Sequence, residues 1–337
     1  MDYTNHNFYY YNYKYNEKKI NENTGKENYF LRGIKNEGNN CYIISFLQIL
    51  FHTPNFIDYL KNHDFKDSLL AKLLLELFYY KNLDECKLYI REIKNIMGEI
   101  KTDYGINNPG DSQNFAIDFL DKLISETKNE ISSDNISVFD GNISKKQKYF
   151  NFQKEFNNKN NLIEKLFQFV EVSLGRTNLL DSFSINLHIE LNVPITSYCK
   201  RSEISSKLDD LLKQKFNNKL KLADLPEILI ITLNRGIIGY SLIKTKVKYS
   251  DYLDLEPYFD NDIKKYYNYG TKKYSLYAVN ERTGENKNYG HYYCYVKINT
   301  TWHYFSDEKF YIKKPDYNSS NVFGLYYVRK DIIIKNK

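Results

Sequence analysis

Cysteine is scarce in this 337-residue chain: there are four, Cys41, Cys86, Cys199 and Cys294. No two of them form a C-x-x-C pair, so the spacing suggests neither a disulfide framework nor a zinc ribbon. No apolar run approaches the roughly 20 residues of a membrane-spanning helix. The polar start MDYTNHNFYY is unlike a secretory signal, and a reducing, intracellular location, cytoplasmic or nuclear, is expected. Long blocks of one charge are also missing. The 48 basic and 42 acidic residues, net charge +6, are scattered, which supports neither nucleic acid nor a membrane as a partner.

What is present is a globular composition, 42% hydrophobic and 16% aromatic. The length suits one elaborate domain or two small ones. Residues 1–28 are rich in Tyr, Asn, Lys and Glu without apolar periodicity and read as a flexible arm. Residues 56–100 carry strong helical periods, such as Leu70, Leu73, Leu74 and Leu77, interleaved with Lys and Glu. Residues 126–160 are polar and read as an exposed connection. From 162 the texture turns alternating and β-branched, as in Ser182 to Ile189, Leu225 to Arg235 and Tyr274 to Asn280.

The chain is organised around Gly33 to Gln48. A glycine-punctuated loop feeds an apolar run, Tyr42 to Leu50, that repeats every three or four residues and predicts a helix ending near Pro54. Cys41 then falls at the helix start, where unpaired backbone N–H groups favour the thiolate, the nucleophilic form. A small buried Cys filling a helix end is the plainer reading of an isolated cysteine. Gly38, which frees the backbone for a close approach, and Asn36, whose amide is placed to stabilise an oxyanion, favour the catalytic one.

Two further stretches carry chemistry. Asp111 is placed to cap a helix with Phe115, Phe119 and Leu123 on one face. Gly290-His291-Tyr292 follows a glycine-containing loop, Glu281 to Tyr289, with Gly290 opening the approach to the ring. A hairpin of Tyr292–Ile298 against Trp302–Phe305, turned at Asn299 to Thr301, returns Ser306 or Asp307 beside His291 to orient it. His303, one alternation out of place, reads as surface.

These stretches, in this order, resemble the boxes of the ubiquitin-specific proteases over roughly residues 30–330. Gly33, Asn36, Gly38, Asn39, Cys41, Tyr42, Ser45, Leu47 and Gln48 fall on the cysteine box. Asn40 and Ile44 stand where it usually has Thr and Asn. Asp111 and Gln113 fall on the second motif, with Asn114 in place of its Glu. His291 falls on the histidine box, with Ser306 where an Asp or Asn is usual and Asp307 on the next acid.

The resemblance implies an α+β, papain-like fold of the ubiquitin-specific protease type, occupying residues 29–337. A helical thumb (29–135) would pack on an antiparallel palm sheet, with fingers in 160–337. Both finger C-x-x-C pairs of many relatives are missing, so reduced, zinc-free fingers are expected. The implied activity is deubiquitination, a thiol-dependent hydrolysis after the C-terminal glycine of ubiquitin, with no metal or cofactor. Cys41 would be the nucleophile, His291 the base, Ser306 or Asp307 its orienter and Asn36 an oxyanion donor. Asp111, Gln113, Gly290 and Tyr292 would line the substrate path, and the partners would be ubiquitin and ubiquitinated proteins. The alternatives are an inactive ubiquitin-binding scaffold on the same fold and a protease for another ubiquitin-like modifier.

Overall fold

The computed structural model describes residues 30–62, 68–80, 82–105, 108–127, 147–151, 162–175, 181–194, 205–238, 241–264, 270–284, 286 and 289–332. The arm expected over residues 1–28 and Cys199 lie outside them.

Five helices come first: α1 (Cys41–Phe51), α2 (Phe56–Asn62), α3 (Leu69–Phe78), α4 (Leu83–Ile100) and α5 (Ser112–Thr127). Local chemistry fixes their starts. The Ser68 hydroxyl accepts from the Ala71 N–H, and the Asn82 side chain accepts from the N–H groups of Asp84 and Glu85. Asp111 Oδ1 accepts from the Gln113 and Asn114 N–H groups at 2.9 and 3.0 Å. Each of these bonds satisfies a donor that a helix N-terminus leaves open. α1 stops before Pro54, as expected. The buried apolar positions of α4, Cys86, Ile90, Ile93 and Met97, recur every three or four residues, the stripe a helix presents to a core.

Eight strands form the main sheet: β1 (Ile189–Asn192), β2 (Ile228–Asn234), β3 (Tyr252–Asp254), β4 (Lys273–Thr283), β5 (His291–Ile298), β6 (Thr301–Ser306), β7 (Lys309–Ile312) and β8 (Val322–Arg329). Their order is β7-β6-β5-β4-β8-β2-β1, with β3 pairing the first residues of β4. All pairs are antiparallel except β1 with β2.

Strand alternation sorts the sheet into two faces. Tyr292, Cys294, Val296 and Ile298 of β5, with Phe305, Tyr326 and Val328, join the helices in one core. Tyr293, Tyr295, Trp302, Leu325 and Tyr327 face a second core on the other side. A fully buried Leu, Phe or Tyr contributes on the order of 1.5–3 kcal/mol, so the helical layer is held on the sheet by many such side chains. No helix among the described residues is long and apolar enough to cross a membrane.

Some boundaries differ from the sequence reading. The stretch read as an exposed connection includes a helical turn at 147–151, where Tyr149 is fully buried against Val170, Val172, Ala223 and Ile263. Ser182 to Ile189 is not one strand. It breaks after Asn186, and His188 Nδ1 hydrogen-bonds with the Thr232 hydroxyl at 2.8 Å, which ties the segment before β1 to β2. β4 runs on to Thr283, so Glu281 belongs to the strand and not to the loop. Thr301 pairs with Ile298, leaving Asn299 and Thr300 as the turn, Asn299 in the left-handed region at φ 55°.

Candidate active site

Cys41 is the first residue of α1. The loop before it is folded around one side chain. Asn36 Oδ1 accepts from the Gly38 N–H at 2.9 Å and the Asn40 N–H at 3.2 Å. Gly38 takes φ 113°, a conformation that costs little without a Cβ. The Ile43 and Ile44 N–H groups bond to the Asn40 carbonyl. The N–H groups of Cys41 and Tyr42 therefore stand ahead of the helical ladder.

His291 opens β5, and its Nε2 lies 2.8 Å from Ser306 Oγ at the end of β6. The hairpin register brings them together, because Cys294 faces Phe305 across β5 and β6. Asp307 follows in a tight turn at φ 51°. Its Oδ2 is 3.8 Å from His291 Nε2 and accepts from the Asn36 amide at 3.1 Å. Asp307 Oδ1 is buried with no hydrogen-bond partner among the described residues. Asn36 therefore ties the cysteine loop to the turn that follows Ser306, across 271 positions of sequence.

The thiol is not poised as the helix start alone suggests. Burial pushes the Cys41 thiol above its ordinary value and outweighs the backbone groups of Tyr292 and Tyr42, which draw it down. Asp307 adds to the rise, and Arg282 opposes it. Taking a charge out of water costs more here than the first-turn N–H groups return. Burial likewise pushes the Asp307 carboxyl up, against the pull of Asn36 and His291.

The residues expected along the substrate path are all engaged within the protein. Asp111 Oδ2 accepts from the Tyr292 hydroxyl at 2.9 Å while Oδ1 caps α5. The Gln113 amide donates to the Phe323 carbonyl, and Tyr292 is buried. Gly290 is explained by packing as well as by access. A Cβ there would lie 2.5 Å from the Arg282 guanidinium carbon. Asn114 is exposed on the first turn of α5. His303, read as surface, is half-buried, and its Nδ1 is 3.2 Å from the Thr301 carbonyl.

Sequence reasoning missed a buried polar node behind the thiol. The Asn280 amide lies 3.1 Å from Ser45 Oγ and 3.2 Å from Ser112 Oγ, and Ser112 donates to the Tyr42 carbonyl at 2.9 Å. It joins α1, α5 and β4 one turn from Cys41. Its signal was an Asn in a strand whose neighbours, Ala278 and Val279, are apolar.

The chain is 25% identical over 332 residues to the mouse ubiquitin carboxyl-terminal hydrolase 17-like protein B, covering 90% of this chain and 64% of that protein. It is 26% identical over 319 residues to ubiquitin carboxyl-terminal hydrolase 4 of Arabidopsis thaliana, covering 84% of each. It spans only 54% of a second mouse relative, 17-like protein C. The fold is similar to that in a solved Ubp8/Sgf11/Sus1/Sgf73 DUB module bound to ubiquitin aldehyde. The TM-score is 0.62 at 16% identity, over 90% of this chain and 70% of that one. The fold is thus α+β and of the ubiquitin-specific protease type. The sequence model of the ubiquitin carboxyl-terminal hydrolase family matches residues 32–327, and the chain belongs to that family, which includes the ubiquitin-specific proteases.

Proposed function

We propose that this protein is a cysteine-type deubiquitinase, hydrolysing the isopeptide or peptide bond after the C-terminal glycine of ubiquitin, with ubiquitin and ubiquitinated proteins as its partners. The observation that carries the reading is the His291–Ser306 bond of 2.8 Å on the hairpin that packs against the Cys41 end of α1. With Nε2 held by Ser306, the other ring nitrogen of His291 is left to take the Cys41 proton. The thiolate attacks the carbonyl carbon of the terminal glycine, and the oxyanion is held by the free first-turn N–H groups and the second amide hydrogen of Asn36. The imidazolium then protonates the leaving lysine amine, giving a thioester that water, activated by His291, hydrolyses. No step calls for a cofactor.

Asp111 and Gln113 lie along the path of the ubiquitin tail, offering it only the capacity their internal bonds leave. The thumb is assigned to residues 29–135 and the palm with its fingers to 160–337. The test is reaction with ubiquitin carrying a thiol-reactive group at its C-terminus. An adduct on the intact protein and none on Cys41→Ala is the expected result. No adduct on folded protein would favour the inactive scaffold, and an adduct only with a probe built on another modifier would favour that protease.

A further inference from the structure

β7 is the outermost strand of the main sheet, and nothing among the described residues pairs with its outer side. The Lys313 N–H bonds to the Trp302 carbonyl, while Tyr311 stands opposite Tyr304 and Lys309 opposite Ser306. Alternation along an antiparallel pair then turns the N–H and C=O groups of Phe310 and Ile312 away from β6. Such an edge is a template for another strand. All four residues of β7 are exposed, Phe310 to 42%, Tyr311 to 50% and Ile312 to 73%. Single exposed apolar side chains are ordinary, but three in a row on a free edge mark a contact surface. The strand is held in shape without a partner. The Phe310 ring stacks on Phe305 with centroids 5.8 Å apart, and the Tyr311 ring lies 4.9 Å from that of Tyr304.

We propose that the free edge of β7 binds, as an added strand, an extended segment of a partner protein that is acidic at both ends and apolar between. The charges along the edge select this occupant. Lys309 and Lys313 share the face that carries Tyr311, and Lys314 continues the face of Phe310 and Ile312. All three lysines are exposed, and no carboxylate among the described residues forms an ion pair with them. The Lys313 and Lys314 ammonium groups stand instead over the rings of Tyr304 and Tyr317, at 5.3 and 4.9 Å. A strand laid along β7 sets its side chains opposite Lys309, Phe310, Tyr311, Ile312 and Lys313. The matching order is an acid, three apolar residues and an acid. The same register disfavours a second copy of this chain. Two β7 strands paired antiparallel about Tyr311 set Lys309 of each against Lys313 of the other, and like charges directly opposite are destabilising. Main-chain bonds to Phe310 and Ile312 give the added strand its affinity, and the flanking lysines its selectivity. Because Lys309 pairs with Ser306, the occupied edge ends at the residue that holds His291.

The proposal stands apart from the deubiquitinase reading, and its test needs neither Cys41 nor ubiquitin. Phage-displayed random peptides are selected on the full chain, and the enriched sequences are remade with a fluorophore for binding by anisotropy. They should carry the order of an acid, three apolar residues and an acid. Ile312→Pro removes one outward N–H while sparing the pairing with β6, and should weaken binding about tenfold. The double variant Lys309→Glu, Lys313→Glu should weaken it as much, and Lys309→Arg, Lys313→Arg should keep the parent affinity. No enriched peptide, or binding that Ile312→Pro and the charge reversal both leave unchanged, overturns the proposal and leaves the lysines as guards against edge pairing. A parent dimer in light scattering, lost in Ile312→Pro, would give the edge to a second copy and overturn it too. Should Ile312→Pro fail to fold, the charge reversal decides, because both lysines are exposed. Peptide binding as expected, with no ubiquitin adduct on the parent, would remove the deubiquitinase reading and leave the edge site standing.

Discussion

Ser306 Oγ stands 2.8 Å from His291 Nε2, while Asp307 Oδ2 is 3.8 Å from the same nitrogen. In the proposed mechanism the hydroxyl makes the bond and the carboxylate supplies the charge, a division of the work one Asp performs in many triads. A hydroxyl fixes the ring tautomer, whereas only the anion stabilises the imidazolium. Ser306→Ala is therefore expected to lower kcat about tenfold, roughly 1.4 kcal/mol of barrier, with KM near the parent value. Asp307→Asn keeps the link to Asn36 but removes the anion 3.8 Å from the ring, and should cost about threefold, roughly 0.7 kcal/mol. Steady-state turnover of a ubiquitin fluorophore conjugate reads both. An Asp307→Asn loss larger than that of Ser306→Ala would reverse the assignment.

Asn36 has a structural role and, in the proposed mechanism, a chemical one. Its Oδ1 holds the Gly38 and Asn40 N–H groups, and its amide donates to Asp307. Asn36→Asp keeps the acceptor that folds the loop and removes the donor. It should lower kcat by about 100-fold, the usual scale for an oxyanion donor, and lower the melting temperature too, because it sets a second carboxylate where the amide donated to Asp307. Full activity in a folded Asn36→Asp protein would exclude the oxyanion role.

His52 gives the fold an acid-side sensitivity. It is half-buried at the end of α1, its Nδ1 is 2.7 Å from the Gln48 carbonyl, and desolvation lowers it from 6.5 to about 4. Between pH 6.5 and 4 the unfolded chain binds more protons at this site than the folded one. Stability is therefore full above pH 6.5 and falls as pH drops toward 4. Linkage puts the loss between pH 7 and pH 5 at about 2 kcal/mol. Urea unfolding at the two pH values should show it, and His52→Phe should flatten most of the difference. An equal slope in that variant would place the acid sensitivity elsewhere.

Gly33 lies against the backbone of Glu308, and the Ile34 N–H donates to the Asp307 carbonyl at 2.9 Å. A methyl at Gly33 meets backbone, which cannot swing aside. Gly33→Ala should destabilise the fold by about 1–3 kcal/mol, the usual cost of overpacking, and loosen the turn bearing Asp307. A melting temperature within a degree of the parent's would show that this contact yields.

What could be read from the residues was whatever rests on short-range periodicity. Apolar spacing placed α1 and put Cys41 at its start. Period-two alternation paired β5 with β6 and so returned Ser306 to His291. Long-range partners left no such trace. Gln113 reaches a carbonyl 210 positions away, and nothing local in Lys94 or Arg282 says that a charged side chain turns inward. The helix start of α1 likewise gives only part of the balance at Cys41. A helix start is a local feature, whereas the desolvation that outweighs it is supplied by side chains from the whole fold.

The last described strand, β8, lies in the middle of the main sheet, between β4 and β2. Both neighbours are made earlier during synthesis and present open edges until Val322–Arg329 arrives. β4 is also the strand that pairs with β5, where His291 sits. A nascent chain can thus form the helix bearing the thiol long before it can settle the imidazole opposite it.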